Sequence, residues 1–334
     1  MMKKSYRIGI LGATGAVGRE MMKILAERNF PLRELRLLAS ARSAGVRLAF
    51  GDELLTVQEA TDDAFDGLDI VLGAAQNSVA KRFAPSITAA GAVFIDNSSA
   101  FRMDPAVPLV VPEINPDDIQ KHSGIISNPN CSTIITLTAV NALNQLSPIV
   151  SMVASTYQAV SGAGAGGPLE LAQEVEDLAD GRPVQPSVFP YQIAYNVIPQ
   201  IGSVSDEGYT TEEMKMQNEG RRILHLPQLT VSCTCIRVPV MRSHSISVLV
   251  RTQKPITVEQ ARVAIGSAPG CRLVDDLENK QYPMPLDTSD QDTVYVGRIR
   301  PDLTGDGINL WCCGDQVRKG AATNAVQIAE LLLK

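Results

Sequence analysis

What the chain lacks narrows it first. No apolar run approaches the roughly 18 residues that span a bilayer, so no transmembrane helix is expected. There is no excess of positive charge. With 30 Lys and Arg against 36 Asp and Glu, the net charge is −6, which argues against a general affinity for nucleic acid or an anionic membrane. An anionic small substrate would need local cationic groups. The six cysteines, at 131, 233, 235, 271, 312 and 313, include no Cys-x-x-Cys pair, and no Cys/His cluster has zinc spacing. Most of these thiols read as small apolar core residues in a reduced, cytoplasmic setting. Histidine is scarce: His122, His225 and His244 are all there are. The apolar stretch after Lys3-Lys4 is short and runs into a glycine-rich turn, unlike a signal peptide.

What is present is ordinary globular composition, 45% hydrophobic and 20% charged over 334 residues, enough for two domains with their own cores. The first 130 residues alternate strand and helix signals. Tyr6–Leu11, Leu35–Ala39, Asp69–Gly73 and Val93–Asp96 read as strands. Ala16–Glu27 and Ser78–Ala90 read as helices. This is the pattern of a doubly wound parallel α/β sheet. After residue 131 the strands become longer and more alternating, at Ile149–Tyr157, Leu229–Val238, Ser245–Val250, Val294–Ile299 and Ile308–Cys313. They suggest a mostly antiparallel sheet with helices such as Leu169–Asp180. Residues 181–208 are Pro-rich and polar, an extended excursion, and Ala321–Leu333 is an apolar-striped helix.

Gly12-Ala13-Thr14-Gly15-Ala16-Val17-Gly18 follows the first strand and opens a helix. Glycines let backbone approach a pyrophosphate, and the helix start supplies N–H donors and positive potential. In a βαβ unit this spacing points to a dinucleotide. An NAD enzyme usually carries an Asp or Glu after the second strand, to hold the ribose hydroxyls. Here the chain reads Ala39-Ser40-Ala41-Arg42-Ser43. Arg42 with Ser43 suits the 2′-phosphate of NADP, the alternative being a solvated loop charge.

Cys131 lies in Ser127-Asn128-Pro129-Asn130-Cys131-Ser132-Thr133, ahead of a helix-like apolar run. A thiol at a helix start is favoured as thiolate, a nucleophile. Of the histidines, His122 sits in a polar stretch and His225 near a helix end. His244 is in phase with Ile246, Val248 and Val250, the apolar face of its strand. It is either an acid/base or a satisfied core histidine. Arg237, in phase with Leu229, Val231, Cys233 and Cys235, needs an anion, from a substrate carboxylate or an internal salt bridge. Glu212 and Lys215 share a helix face, and Thr210 with Glu213 forms a capping-box pattern. Arg102 and Gln158 both follow strand ends, where sites of α/β proteins gather.

These segments, in this order, resemble those of bacterial aspartate-semialdehyde dehydrogenases over essentially the whole chain. The carrying motifs are Gly12–Gly18, Asn97–Arg102, Ser127–Thr133, Tyr157–Gly162, Glu212–Lys215, Arg237–Val240 through His244-Ser245, and Arg318–Ala322. The resemblance implies a Rossmann-type NADP-binding domain over residues 1–130, completed by 315–334. It also implies an α+β catalytic and oligomerisation domain over 131–314, resembling that of glyceraldehyde-3-phosphate dehydrogenase. A homodimer or homotetramer is implied, acting in lysine, diaminopimelate, threonine and methionine biosynthesis. By resemblance Cys131 attacks L-aspartyl 4-phosphate to give a thioacyl enzyme, His244 is the acid/base, and Gln158 orients the intermediate. Arg237 holds the substrate α-carboxylate and Glu212 its amino group; Arg102, Lys215 and Asn130 hold phosphate. Gly12, Thr14, Gly15, Ala16, Val17, Gly18, Arg42, Ser43, Ser161, Gly162 and Gln316 contact NADP.

The chain departs from the family pattern in three places. Ala74-Ala75-Gln76-Asn77 replaces a Gly-Gly pair, Ser243 a glycine before the histidine, and Gln316 an asparagine. The rival enzyme reading is N-acetyl-glutamyl-phosphate reductase, which carries Gly rather than Asn130 before its cysteine. A non-catalytic homologue is the rival from another class.

Overall fold

The computed structural model describes residues 5–205 and 207–333. They form two compact units, one running to Asn130 and resuming at Ala321, the other Cys131–Gly320.

The first unit begins with β1 (Tyr6–Leu11), the glycine turn and α1 (Ala16–Glu27). Met21, Met22, Ile24 and Leu25 lie on the buried face of α1, the spacing of an amphipathic helix. The chain continues through β2 (Leu32–Ala39), the hairpin β3 (Arg47–Phe50) and β4 (Glu53–Thr56), and the short β5 (Gln58–Glu59). It then runs through β6 (Ile70–Gly73), α2 (Asn77–Ala89), β7 (Val93–Asp96) and β8 (Ile125–Ser127). Strand order in the sheet is β5-β2-β1-β6-β7-β8, with every pair parallel. Sequence periodicity does not reveal the hairpin or β8, which are too short to show a repeat.

The terminal helix α8 (Thr323–Leu331) packs Ala325, Val326, Ile328 and Ala329 into the same core as Ile8, Ile10, Leu72 and Ile95. Arg28 grips Glu330 through two 2.7 Å hydrogen bonds. The expected helix over 321–333 therefore starts two residues later, after a wide turn over Arg318–Ala322. Residues 315–320 stay with the second unit because their side chains bond there. Asp315 accepts from Arg242 Nε at 2.6 Å, and Arg318 Nε donates to Asp292 at 2.9 Å.

The second unit opens with α3 (Cys131–Leu146), followed by β9 (Ile149–Gln158), α4 (Gly166–Ala179), α5 (Thr211–Ile223), β10 (Thr230–Arg237) and β11 (His244–Thr252). Next come α6 (Val258–Ser267), β12 (Cys271–Leu273), α7 (Pro285–Thr288), β13 (Val294–Pro301) and β14 (Gly307–Gly314). The sheet runs β10-β9-β11-β14-β13-β12. Its outer pairs are parallel and its inner pairs antiparallel. Helix α3 buries Ile134, Ile135, Leu137, Val140 and Leu143. The capping box opening α5 is formed, with Glu213 N donating to Thr210 Oγ1 and Thr210 N to Glu213. Among the described residues, no helix is long and apolar enough to cross a membrane.

Candidate active site

Strand register assembles the site. Gln158 and Arg237 are direct partners at the ends of parallel β9 and β10. On antiparallel β11, Ser245 pairs with Tyr157 and His244 with Gly314. Three chain segments thus deliver Gln158, Arg237 and His244 to one end of one sheet. Cys131 enters as the first residue of α3, half-buried.

Cys131 Sγ lies 3.5 Å from His244 Nε2. His244 is fully buried, and its Nδ1 accepts from Ala159 N at 3.0 Å. A backbone N–H can only donate, so in the neutral ring the proton sits on Nε2, facing the sulfur. Burial, then the Arg237 charge, push the His244 pKa down to about 3, against a smaller opposing pull from Glu212. The ring is therefore neutral near pH 7, a hydrogen-bond donor to a thiolate.

Gln158 Oε1 accepts from Thr156 Oγ1 at 3.0 Å, while its Nε2 donates to Glu212 at 3.3 Å and lies 3.4 Å from His244 Nε2. Arg237 is buried and donates from Nη1 to Ala159 O at 2.7 Å. Burial lowers its pKa, and the negative charges of Cys131 and Glu212 pull the other way. Lys215 Nζ donates to Glu212 at 2.8 Å, so the predicted face-sharing pair is a real ion pair at the site's edge.

Two glycines leave room. A Cβ on Gly162 would stand 2.7 Å from Arg237 Nη1 and 3.1 Å from His244 Cε1. One on Gly320 would stand 2.9 Å from Cys131 Cβ. Neither position tolerates a side chain without displacing a reactive group.

Of the remaining histidines, His122 is half-buried, and its Nδ1 accepts from Gly124 N at 3.1 Å. His225 is exposed, in the left-handed conformation just past α5. In the first unit, Arg102 is buried, with Nε on Asn128 O at 2.9 Å and Nη2 on Asn97 O at 2.7 Å. Asn130 is buried as well.

The dinucleotide loop is likewise built by exclusion. Gly12 has φ +91°, and a Cβ there would stand 2.6 Å from Ala74 O. A Cβ on Gly18 would stand 2.4 Å from Gly12 O. The strand-to-helix turn is therefore too tight for side chains, and Thr14, Gly15, Ala16 and Val17 present backbone at the start of α1, as a pyrophosphate requires. Arg42 and Ser43 lie in a 3-10 turn at the end of β2, with Arg42 exposed. In the Ala74–Asn77 segment, Asn77 is tied to Ser99 by hydrogen bonds of 2.8 and 3.0 Å.

Sequence reasoning did not foresee what the side chain of Gln316 does. Its Oε1 accepts from Ser243 N at 2.9 Å and its Nε2 donates to Ser161 Oγ. It ties the turn before His244 to the loop carrying Gly162. Ser243, fully buried at φ +76°, also bonds Thr288 Oγ1 at 2.6 Å. The glycine that the family pattern carries at this position was the available signal for a left-handed residue. Glu170 and Glu174 were also missed. They sit at helical spacing with buried Gly167 and Leu171, and carboxylates on an apolar stripe were the available signal.

A glycine turn of dinucleotide-binding type on a parallel sheet, and a helix-start thiol facing an imidazole of a second, mixed sheet, fit the class of two-domain dinucleotide-dependent oxidoreductases. Two family models match the chain: semialdehyde dehydrogenase, NAD binding domain, over residues 7–122, and semialdehyde dehydrogenase, dimerisation domain, over residues 140–319. The chain is 51% identical to an aspartate-semialdehyde dehydrogenase of a Synechocystis strain, over 100% of this chain and 99% of that one. It is similar to the crystal structure of aspartate semialdehyde dehydrogenase II from Vibrio cholerae, with TM-score 0.96 and 44% identity over 99% of both chains. It is also similar to that enzyme complexed with ASA, with TM-score 0.96 and 43% identity over 99% of this chain and 98% of the other. The chain belongs to the aspartate-semialdehyde dehydrogenase family, oxidoreductases of amino-acid biosynthesis that use a nicotinamide cofactor.

Proposed function

We propose that the protein reduces L-aspartyl 4-phosphate to L-aspartate 4-semialdehyde with release of phosphate, using NADPH, in the cytoplasm and as a homodimer or homotetramer. The observation that carries this reading is the 3.5 Å approach of Cys131 Sγ, at the start of α3, to Nε2 of His244, whose Nδ1 is occupied by the Ala159 N–H. The core thiols Cys312 and Cys313, by contrast, have their pKa raised by burial.

The Cys131 thiolate, stabilised by the helix start and the Nε2–H, attacks the acyl carbon. The carbon–oxygen bond to phosphate breaks, and phosphate leaves with the electron pair. A nicotinamide cofactor, held at the Gly12–Gly18 turn, would supply the hydride that reduces the resulting thioester carbonyl. His244, the acid/base, stabilises the oxyanion through its Nε2–H, and Gln158 orients the intermediate. Collapse of that adduct breaks the carbon–sulfur bond, returns the electron pair to Sγ and frees the aldehyde. Arg237 pairs with the substrate α-carboxylate in bidentate fashion, and Glu212 takes its ammonium group. Arg102, Lys215 and Asn130 hold phosphate. Arg42 and Ser43 select NADP over NAD, Ser161 and Gly162 contact the cofactor, and Gln316 acts on it through Ser161.

The test runs the reaction backwards. NADP reduction should require both aspartate semialdehyde and inorganic phosphate, and N-acetyl-glutamate semialdehyde should not substitute. Cys131→Ala should lose at least about 10³-fold in kcat while still binding NADP. No turnover by the wild-type chain would sink the enzyme reading, and turnover surviving the substitution would sink the thioacyl route.

A further inference from the structure

The extended segment 187–198 has little regular structure, yet it is pinned. Two carboxylates on one face of α4, a helical turn apart, do the pinning. Glu170 Oε2 accepts from Ser187 N at 2.8 Å, Ser187 Oγ at 2.7 Å and Val188 N, and its Oε1 accepts from Phe189 N at 3.0 Å. Glu174 Oε2 accepts from Ile193 N at 2.8 Å and Ala194 N at 2.7 Å. Both carboxylates are buried, at 7% and 2% exposure. Buried carboxylates are costly, and they are retained where several N–H donors need an acceptor. Burial alone would raise the Glu170 pKa, but the hydrogen bonds from Ser187, Val188 and Phe189 outweigh it and hold the carboxyl below its ordinary value.

What this strap holds is Arg237. The Phe189 ring lies against the guanidinium, 5.8 Å from centroid to Cζ, within cation–π reach. Ile198 exchanges backbone hydrogen bonds with Arg237 in both directions, at 2.8 and 2.9 Å. Phe189, Ile193, Ala194 and Ile198 form one apolar cluster with Val160 and Leu171. The strap therefore backs Arg237 along both its main chain and its guanidinium face.

We infer that Glu170 and Glu174 are positioning residues for substrate recognition. By fixing the 187–198 strap they set the orientation of Arg237 toward a carboxylate. This rests on the assignment of Arg237 as the α-carboxylate clamp. Glu170→Gln keeps the volume but turns an amide N–H toward backbone donors, which frees the strap.

The experiment measures KM for aspartate semialdehyde, phosphate and NADP, together with kcat and Tm. Its variants are Glu170→Gln, Phe189→Leu, Arg237→Lys, and Glu170→Gln combined with Arg237→Lys. Glu170→Gln should raise the semialdehyde KM about tenfold, with the other two KM values and kcat within about twofold. Phe189→Leu, which leaves every carboxylate bond intact, should raise the same KM about threefold. In the Arg237→Lys background, Glu170→Gln should add less than about threefold, because both changes act through one group.

A lower Tm with no KM change in Glu170→Gln and Phe189→Leu would overturn the inference and leave the clamp standing, since Arg237→Lys would still raise KM. An undiminished tenfold effect in the Arg237→Lys background would also overturn it. If Arg237→Lys leaves the semialdehyde KM unchanged, the clamp itself fails and the inference falls with it.

Discussion

The glycine loop and the thiol site both lie at the start of a helix, α1 in one unit and α3 in the other. Each uses the unpaired N–H groups and positive potential there to favour negative charge. They differ in what surrounds that start. The loop is made by keeping side chains out: Gly12 and Gly18 stand where any Cβ would strike backbone. The thiol site is made by bringing side chains in, from β9, β10, β11 and α5 around the first residue of α3. A backbone site announces itself by local spacing. A side-chain site needs a fold.

The sharpest way to break that contrast is to add one methyl group to the loop. Gly12→Ala puts a Cβ 2.6 Å from Ala74 O on a residue at φ +91°. Strain of this kind costs about 1–3 kcal/mol, and here the backbone meant for the pyrophosphate must move to relieve it. The expected outcome is a rise in KM for NADP of at least about tenfold, with Tm lowered. The alkylation rate of Cys131 should stay within about twofold of wild type. If alkylation slowed as much as cofactor binding weakened, the two sites would not be separately built.

The thiol site is tested through the protonation of its partner. His244 has its pKa pushed from 6.5 to about 3, chiefly by burial. The folded state then binds fewer protons than the unfolded state between those values, so stability rises with pH across that window. The contribution is complete above about pH 6.5 and is lost as pH falls towards 3, at up to about 1.4 kcal/mol per pH unit. Between pH 7 and pH 5, wild type should therefore lose on the order of 2 kcal/mol more than His244→Asn, read from denaturant unfolding at both pH values. Parallel pH dependence in the two proteins would mean that the ring is solvated and titrates freely.

The same contrast governs what was legible in the chain. The parallel sheet, its helices and the Gly12–Gly18 turn follow from periodicity and spacing, because each depends on neighbours in sequence. On the second sheet, strand phase correctly turned Arg237 and His244 inward, and the capping pattern placed Glu212 and Lys215 on a helix. Phase alone left each of them two readings. Their meeting with Cys131 depends on the β9–β10 register and on the antiparallel entry of β11, which no local signal encodes. The Gln316 bridge was illegible for the same reason, while the glycine replaced by Ser243 and the carboxylates on an apolar stripe hinted at a left-handed turn and at Glu170 and Glu174, but not at what they bind. Gln316, Glu170 and Glu174 each satisfy backbone donors distant in sequence, while Ser243 has its N–H on Gln316 and its hydroxyl on Thr288.

Arg42 offers the smallest effect and the finest test, because it lies where the contrast blurs. As the proposed reader of a 2′-phosphate, it would be a side chain added to a site otherwise made of backbone. It sits exposed in the 3-10 turn that ends β2, with half-buried Ser43 beside it. A 2′-phosphate there would gain a charge-assisted hydrogen bond from the guanidinium, a contact NAD cannot make. Exposure limits the gain, since water screens the pair. Arg42→Ala should therefore raise KM for NADP about fivefold, corresponding to about 1 kcal/mol, with KM for NAD and kcat unchanged. The effect should shrink as ionic strength rises, because an exposed ion pair is weakened by salt. Equal changes in both KM values would show Arg42 holding the loop rather than reading the phosphate. Ser43→Ala alone should change the NADP KM by no more than about threefold. The cofactor preference would then rest on one guanidinium placed at a strand end by the same parallel sheet that shapes the glycine turn.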